Sequence, residues 1–145
     1  MNRTIEHLIN HHIKPSAQRI AIMKYLMDHP IHPTVDRIYS DLLPDMPTLS
    51  RTTVYNTLKV LENNNALITV DIDNKNVRYD GDITPHAHFM CRMCGNIYDT
   101  PLPPGILKTI PGKEAFKVEA IKLYYKGICE KCQEKADKAD IKDKN

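Results

Sequence analysis

The densest group of metal-binding side chains lies between His86 and Cys94, nine residues that include two histidines and two cysteines. Cys91 and Cys94 form a C-x-x-C pair, and a second pair, Cys129 and Cys132, follows after 34 intervening residues. Two thiolates from one tight turn can reach one tetrahedral metal, so the two pairs can supply a closed zinc site. Such a site has no open coordination position, and its zinc would be structural, tying the C-terminal segment to the centre of the chain.

Neither a signal peptide nor a membrane span is evident in the sequence. The first residues lack an apolar stretch, and no apolar run approaches the roughly 18–20 residues of a transmembrane helix. We therefore expect a cytoplasmic protein, in which thiols stay reduced and the cysteines favour zinc over disulfides. A redox-active dithiol pair is the alternative interpretation of this spacing. Because the net charge is only +2, any nucleic-acid-binding surface must be a local one.

Helical periodicity dominates the first half of the chain. Apolar residues recur every three or four positions, which predicts a short helix over residues 4–12 and three more after it. Short polar residues of the kind that cap helix starts stand at Ser16, Thr34 and Ser50, and the fourth helix should run to about Asn63.

Strand-like segments replace the helical pattern after Asn63. Leu67–Ile72 and Val77–Tyr79 flank a polar turn and predict a hairpin, so we expect a winged helix-turn-helix whose fourth helix is the recognition helix. Further elements are expected as strands at His88–Cys91, Ile97–Asp99 and Phe116–Tyr125, one helical turn around Ile106–Ile110, and a C-terminal helix that frays after Asp137. The predicted fold class is α+β, with a domain boundary near Gly81.

The predicted fourth helix has two chemically different faces. At about 100° per residue, Val54, Leu58 and Leu61 share one side of the helix. The opposite side carries Arg51, Thr52, Tyr55, Asn56 and Lys59. Such basic, aromatic and amide groups are the kinds that contact phosphates and base edges in a major groove. A solvated face on an ordinary core helix is the alternative, but the position between a helix-turn and a hairpin favours DNA binding.

A second kind of metal site is indicated by histidines and aspartates near the first cysteine pair. His86 and His88 are spaced by two, which on a strand places both imidazoles on one face. Asp80 precedes them, Asp99 follows at a strand end, and His32 stands in a proline-rich break before the third helix. Imidazole together with carboxylate suits iron, manganese or zinc. The remaining histidines, His7, His11, His12 and His29, are taken as ordinary surface or core residues.

The chain resembles the ferric uptake regulator family of bacterial metal-dependent repressors. The segments that carry the resemblance are Gln18-Arg19, His32-Pro33-Thr34, Ser50–Leu58, Arg78-Tyr79-Asp80, His86-Ala87-His88, Cys91–Gly95 and Cys129–Cys132. They occur in the family's order and spacing over nearly the whole chain.

The resemblance implies a winged-helix DNA-binding domain over residues 1–80 and a small α/β dimerisation and metal-binding domain over residues 81–145. It implies a homodimer that represses from pseudo-palindromic double-stranded DNA, in which Arg19 joins the DNA-binding residues of the fourth helix. The residues that match the family's regulatory site for Fe²⁺ or Mn²⁺ are His32, Asp80, His86, His88 and Asp99. A metal with ligands from both domains would select the DNA-binding shape.

Asp99 makes the chain similar to the peroxide-responsive branch of the family, since iron-sensing members typically carry Glu at this position. In that branch bound Fe²⁺ reacts with hydrogen peroxide, a ligand histidine is oxidised, and the repressor releases DNA. His32 and His86 match the histidines that are oxidised. The alternative within the family is an iron- or zinc-uptake regulator controlled by metal supply.

Several positions depart from the family's pattern. Ala87 stands where many relatives have an acidic residue, and Phe116–Tyr125 lacks a histidine that many relatives carry there. Both features belong to an additional metal site, which we therefore expect to be absent. Pro111-Gly112 interrupts a segment that is a longer helix in relatives, so local remodelling is expected. Ser16-Ala17 replaces a Thr-Pro pair, with little expected consequence.

Two other functional classes are open on the residues alone. A metalloenzyme could use the histidines and aspartates to activate water, but no spare Glu lies close enough in the sequence to act as general base. The zinc-deaminase pattern is not met, because His88 rather than Glu comes two residues after His86. A zinc-ribbon interaction module is the other alternative, and the polar face of the fourth helix argues against it. We therefore expect a transcription regulator and not an enzyme.

Overall fold

The computed structural model describes residues 2–112 and 114–143, with side chains as far as Lys138. The residues fall into a first unit, Met1–Ile83, and a second unit, Thr84–Asn145. The first unit is helical with a small hairpin, and the second has a three-stranded sheet and a C-terminal helix. The α+β class predicted from the sequence is confirmed.

Short polar side chains fix where three helices of the first unit begin. Ser16, Thr34 and Ser50 each accept a hydrogen bond from the backbone N–H three residues later, which satisfies a donor that the helix cannot satisfy itself. The predicted N-caps are therefore confirmed. The helices of the first unit are α1 (Arg3–Asn10), α2 (Ala17–Asp28), α3 (Val35–Leu42) and α4 (Arg51–Asn63).

The apolar faces of these helices meet in one core. The side chains that are completely enclosed include Leu8, Ile22, Met23, Ile38, Val54, Leu58 and Leu61. Burying each aliphatic side chain contributes roughly 1.5–3 kcal/mol, so this core is the main source of stability for the unit. Because α4 gives Val54, Leu58 and Leu61 to the core, its opposite face is left toward solvent.

Two histidines, in α1 and at its C-cap, contact backbone carbonyl groups of the residues that follow α4. His7 Nε2 lies 2.7 Å from the carbonyl oxygen of Ala66, and His11 Nδ1 lies 3.0 Å from that of Asn64. The two rings stand 4.6 Å apart. Imidazole donors suit the unsatisfied carbonyls at a helix C-terminus, so these rings serve the packing of helices, as expected for histidines outside the metal sites.

The hairpin of the first unit is antiparallel. Its strands are β1 (Ile68–Val70) and β2 (Arg78–Asp80), and Thr69 is paired with Tyr79. The predicted hairpin is confirmed: its first strand is shorter than the predicted Leu67–Ile72, and its second has the predicted length, displaced by one residue from Val77–Tyr79. A helical unit that ends in such a hairpin is a winged helix-turn-helix.

The sheet of the second unit is built around its central strand. The strands are β3 (Ala87–Cys91), β4 (Ile97–Thr100) and β5 (Tyr124–Gly127), in the spatial order β4-β3-β5. β4 is antiparallel to β3, whereas β5 is parallel to it. One 3-10 helical turn, Ile106–Thr109, lies in the connection between β4 and β5, where a single turn was predicted.

Two predictions for the second unit are wrong, one about a strand and one about the C-terminal helix. The strand expected over Phe116–Tyr125 is limited to β5, and residues 116–123 are not strand. β3 pairs with β5 only from Tyr124 onward. Among the described residues, no strand therefore pairs with residues 116–123. Phe116 is accordingly 71% exposed. A strand needs a neighbour for its backbone hydrogen bonds, and sequence pattern alone does not supply one.

The C-terminal helix, α5 (Glu130–Asp143), continues past Asp137, where fraying was expected. Lysine, alanine, glutamate and glutamine are strong helix formers and supply nine of the 14 residues of α5, which favours the longer helix. No helix among the described residues combines the length and apolar composition that crossing a membrane requires.

Gly81 follows β2 directly and passes against the backbone of α2. A Cβ atom at Gly81 would lie 2.8 Å from both the carbonyl carbon and the carbonyl oxygen of Leu26. Backbone atoms in a helix cannot move aside as a flexible side chain can. The absence of a side chain at Gly81 therefore sets how closely the end of β2 approaches α2.

Gly81→Ala should destabilise the protein by about 1–3 kcal/mol, the usual range for overpacking a close contact. Urea unfolding followed by circular dichroism would measure the change. Gly127→Ala is the matched control, because its Cβ would meet the Phe89 ring at 3.4 Å, an ordinary contact. Equal unfolding free energies for Gly81→Ala and the wild-type protein would contradict the close approach.

Candidate metal centres and nucleic-acid interface

The four cysteines converge in the second unit. Their sulfur atoms all lie within 4.8 Å of one another, and Cys94 Sγ is 3.8 Å from Cys129 Sγ. Zinc–sulfur bonds of about 2.3 Å in a tetrahedron place the sulfurs about 3.8 Å apart. A disulfide would need a separation near 2 Å, and all four thiols are free. The donor set, Cys91, Cys94, Cys129 and Cys132, therefore has the spacing of a structural zinc site.

Hydrogen bonds to sulfur prepare this group for a cation. Cys91 Sγ accepts the backbone N–H of Cys129 at 3.4 Å and that of Cys94 at 3.5 Å. These donors, that of Cys129 first, lower the pKa of Cys91 to about 6. The Tyr98 hydroxyl donates to Cys129 and lowers the pKa of that thiol as well. A hydrogen bond to Cys129 raises the pKa of Cys132 to about 12.

In the first unit, His32 and Asp80 form a buried pair. His32 Nε2 lies 3.3 Å from Asp80 Oδ2, and each side chain is only 2% exposed. The backbone of His32 has a φ of +53°, in the left-handed region that residues with a Cβ seldom adopt. Buried ionisable groups in an unusual backbone conformation are typical of functional sites.

In the second unit, two imidazoles meet one carboxylate. Strand register places His88 directly opposite Asp99. His86 Nε2 and His88 Nε2 lie 3.2 and 3.3 Å from the same oxygen, Asp99 Oδ1. Adjacent ligands of an octahedral metal with bonds near 2.1 Å are about 3 Å apart, so the three groups have the spacing of ligands. His86 Nδ1 donates to the carbonyl oxygen of Thr84 at 2.6 Å, which directs Nε2 toward Asp99.

The exposed face of α4 has the composition predicted for it. The side chains of Arg51, Thr52, Tyr55, Asn56 and Lys59 are all exposed, whereas Val54, Leu58 and Leu61 are fully buried. Tyr55 is 46% exposed, so its ring and hydroxyl group can be reached from solvent. The helix therefore offers basic, aromatic and amide groups on one outward surface.

Basic groups on this face are held by neighbouring side chains. The Arg51 guanidinium lies 5.3 Å from the centre of the Tyr39 ring, and its Nε is 3.3 Å from Asp36 Oδ1. Lys59 Nζ lies 5.6 Å from the Tyr55 ring centre. Cation–π contacts restrict these long side chains without removing their charge.

Arg19 belongs to the same surface. It lines a polar depression with Asn56 and Thr53 of α4, and its guanidinium donates to the carbonyl oxygen of Lys14 at 3.0 Å. Gln18 and Ser16, at the start of α2, line the depression too. The structure thus brings Arg19 beside the exposed face of α4.

Sequence reasoning assigned no role to several residues that support these sites. Tyr98 donates to a cysteine sulfur, and Asp36 with Tyr39 positions Arg51. Arg78 contacts both the hairpin loop and the backbone of His32. A tyrosine directly before a predicted ligand, as at Tyr98, or an arginine two residues before one, as at Arg78, is a common pattern. Sequence alone therefore could not identify these supporting residues.

A sequence model of the Ferric uptake regulator family matches residues 10–126. The chain therefore belongs to the ferric uptake regulator family, as its motifs suggested. The structure contains the features that the resemblance led us to expect. They are a winged-helix unit, a group of four cysteines and two histidine–aspartate groups.

Proteins similar to this chain include a peroxide-responsive repressor and two regulators of known structure. The peroxide-responsive repressor PerR of Staphylococcus aureus is 33% identical over 125 residues, covering 85% of this chain and 84% of the relative. A peroxide stress regulator structure from Campylobacter jejuni is 26% identical, with a TM-score of 0.68 over 88% of this chain and 94% of that one. A Francisella tularensis ferric uptake regulator with iron is 25% identical, with a TM-score of 0.69 over 83% and 95%.

These relationships decide between the broad functional classes. The family and the relatives are transcriptional regulators, so the protein is a regulator and not a metalloenzyme. The zinc-ribbon alternative is also excluded, because the family match includes the winged-helix unit.

Tyr98→Phe should weaken zinc binding by about 10–100-fold, the usual effect of removing a hydrogen bond to a ligand. Competition with a chromogenic chelator would measure the affinity. Tyr125→Phe is the matched control, because its hydroxyl donates to Thr100 Oγ1 at 2.8 Å and not to a cysteine. Wild-type zinc affinity in Tyr98→Phe would show that the hydroxyl does not stabilise the bound thiolate.

Cys91→Ser should lose the zinc and loosen the C-terminal segment.

Proposed function

We propose that the protein is a cytoplasmic, metal-dependent transcriptional repressor that binds pseudo-palindromic double-stranded DNA as a homodimer. The observation that carries the proposal is the exposed face of α4, which collects basic, aromatic and amide groups on a helix between a turn and a hairpin. A helix in this position of a winged helix-turn-helix enters the major groove. Family membership supports the homodimer, because two copies related by a two-fold axis match the two halves of a palindrome.

The residues of the α4 face divide by chemistry. Tyr55, Asn56 and Thr52 have groups that hydrogen-bond base edges or contact the thymine methyl, and we assign sequence recognition to them. Arg51, Lys59 and Arg19 carry the positive charge, and we assign contacts with phosphates to them. Asp36 and Tyr39 orient Arg51 before DNA arrives, which lowers the entropic cost of its contact.

We assign zinc to the four cysteines and the regulatory metal to the histidine–aspartate groups. The ligands of the regulatory metal are His32 and Asp80 of the first unit with His86, His88 and Asp99 of the second unit. Neutral imidazoles and carboxylates suit Fe²⁺ or Mn²⁺ better than the thiolates do. Because each unit supplies only part of the set, binding favours one arrangement of the chain, and metal supply thereby controls DNA binding.

Peroxide sensing is the regulatory role that we assign to this metal. Fe²⁺ held by these ligands would supply the redox chemistry by which hydrogen peroxide oxidises a neighbouring side chain. His32 and His86 are the side chains we expect to gain oxygen, which removes ligands and releases the DNA. The support is the short Asp99 carboxylate, which both imidazoles of the second unit share, and the similarity to the peroxide-responsive repressor of S. aureus.

An uptake regulator controlled by iron or zinc supply is the second candidate. The TM-scores to an iron-bound ferric uptake regulator and to a peroxide stress regulator are 0.69 and 0.68, so the fold favours neither. The two candidates differ in whether ligand histidines are oxidised.

The DNA-binding face can be tested with a duplex that wild-type protein and Mn²⁺ select from random pseudo-palindromes, here called the selected duplex. Tyr55→Ala should weaken binding to the selected duplex by roughly 1–3 kcal/mol and change binding to a scrambled duplex little. Lys59→Ala should weaken binding to both and lower the salt slope by about one. Lys108→Ala, an exposed lysine of the second unit, is the control. Equal losses on both duplexes for Tyr55→Ala would contradict base recognition.

The peroxide role can be tested by loading the protein with either metal. Mn²⁺-loaded protein should bind the selected duplex and be unaffected by peroxide, because Mn²⁺ does not readily perform this chemistry. Fe²⁺-loaded protein should release the duplex, and mass spectrometry should find one added oxygen atom on the peptide containing His32 or His86.

The peptide with His7 and His11 is the internal control, because both rings contact backbone carbonyl groups and neither is a proposed ligand. Asp99→Glu should keep metal-dependent binding and reduce the peroxide response. If Fe²⁺-loaded protein stays on DNA with unmodified histidines while metal supply alone controls binding, the uptake regulator replaces the peroxide sensor.

A further inference from the structure

The first residue of β2, Arg78, joins two separate parts of the winged-helix unit. Its Nε and Nη2 lie 3.3 and 3.1 Å from Asp73 Oδ2, in the loop between the hairpin strands. Its Nη1 donates to the carbonyl oxygen of His32 at 3.4 Å. One planar guanidinium therefore connects the hairpin loop to the backbone of a proposed metal ligand.

The ion pair with Asp73 is well defined. The Asp73 side chain is 10% exposed and that of Arg78 is 26% exposed, so neither group is freely solvated. Asp73 Oδ1 also accepts the backbone N–H of Lys75 at 2.9 Å. These donors, that of Lys75 first, hold the pKa of Asp73 below its usual value. A carboxylate bound on both oxygens fixes the hairpin loop to Arg78 more firmly than an exposed ion pair would.

The His32 segment needs support from its neighbours. Its left-handed backbone is unfavourable for a residue with a Cβ and persists only where surrounding contacts hold it. All three residues of β2 supply such contacts. Arg78 donates to the His32 carbonyl, Tyr79 N–H donates to the Pro33 carbonyl at 3.0 Å, and Asp80 faces the His32 imidazole.

We propose that Arg78 is a positioning residue that couples the regulatory metal to the hairpin, a role that rests on the proposed function. A metal bound by the His32 imidazole fixes the His32 backbone, and Arg78 transmits that order to Asp73 and the hairpin loop. Tyr79 of the hairpin packs in the same buried core as Leu58 and Leu61 of the recognition helix, so the position of the hairpin affects how that helix docks on DNA. Coupling between two binding events is reciprocal, so DNA must tighten metal binding by the same factor.

The test measures the coupling factor, the ratio of affinities for the selected duplex with and without saturating Mn²⁺, in the full-length protein. Arg78→Lys keeps a positive charge for Asp73, but one ammonium cannot replace a planar fork that contacts both Asp73 and His32. We expect the coupling factor to fall by about tenfold, within the usual range for coupled sites. Arg37→Lys is the matched control, because Arg37 pairs with Asp41 at 2.9 Å on α3.

A second variant covers the case in which Arg78→Lys does not fold. Asp73→Asn leaves the guanidinium beside His32 and weakens its link to the hairpin, so the coupling factor should fall here too. Mn²⁺ affinity measured with and without the selected duplex should show the same fold-change.

A purely structural role would lower the melting temperature and weaken DNA binding equally with and without Mn²⁺. Unchanged coupling in Arg78→Lys and Asp73→Asn would overturn the inference and leave the proposed function intact. A wild-type protein whose DNA affinity ignores Mn²⁺ would overturn both.

Discussion

Hydrogen bonding on both sides of β3 decides what the second unit can bind. Pairing with β4 sets His88 opposite Asp99, and pairing with β5 sets Cys91 beside Gly127, shortly before Cys129. Alternate residues of a strand face opposite sides, so His88 and Cys91 of one strand serve a nitrogen–oxygen group and a sulfur group separately. A shift of one residue in register would disperse both groups, which makes the strand pairing a functional requirement as well as a structural one.

The first unit depends on the three residues of β2 in a comparable way. Arg78, Tyr79 and Asp80 pair with β1 and also contact the His32–Pro33 segment, so the hairpin and the histidine loop are held by one strand. The left-handed backbone of His32 is thus stabilised by hydrogen bonds to the His32–Pro33 segment from two residues distant in sequence. Strain concentrated at a buried histidine is easier to reconcile with ligand binding than with packing alone.

The charges near α4 are moderated by carboxylates of the same unit. Arg51 is close to Asp36, and Lys59 Nζ lies 3.6 Å from Glu62. In the proposed complex, DNA phosphates would compete with these partners, which would limit non-specific attraction and leave more of the proposed discrimination to Tyr55 and its polar neighbours. The small net charge of the chain, +2, agrees with recognition by a local face rather than by a strongly basic domain.

Local signals in the sequence determined the N-caps at Ser16, Thr34 and Ser50, the polar face of α4 and the two cysteine pairs, because each depends on residues a few positions apart. The extent of β5 was decided by tertiary structure, since a strand forms only where another strand lies beside it. The same holds for the Tyr98 hydroxyl at Cys129 and the Arg78 guanidinium at His32. These contacts join residues 31 and 46 positions apart, and only folding of the backbone brings such distant groups within hydrogen-bonding reach.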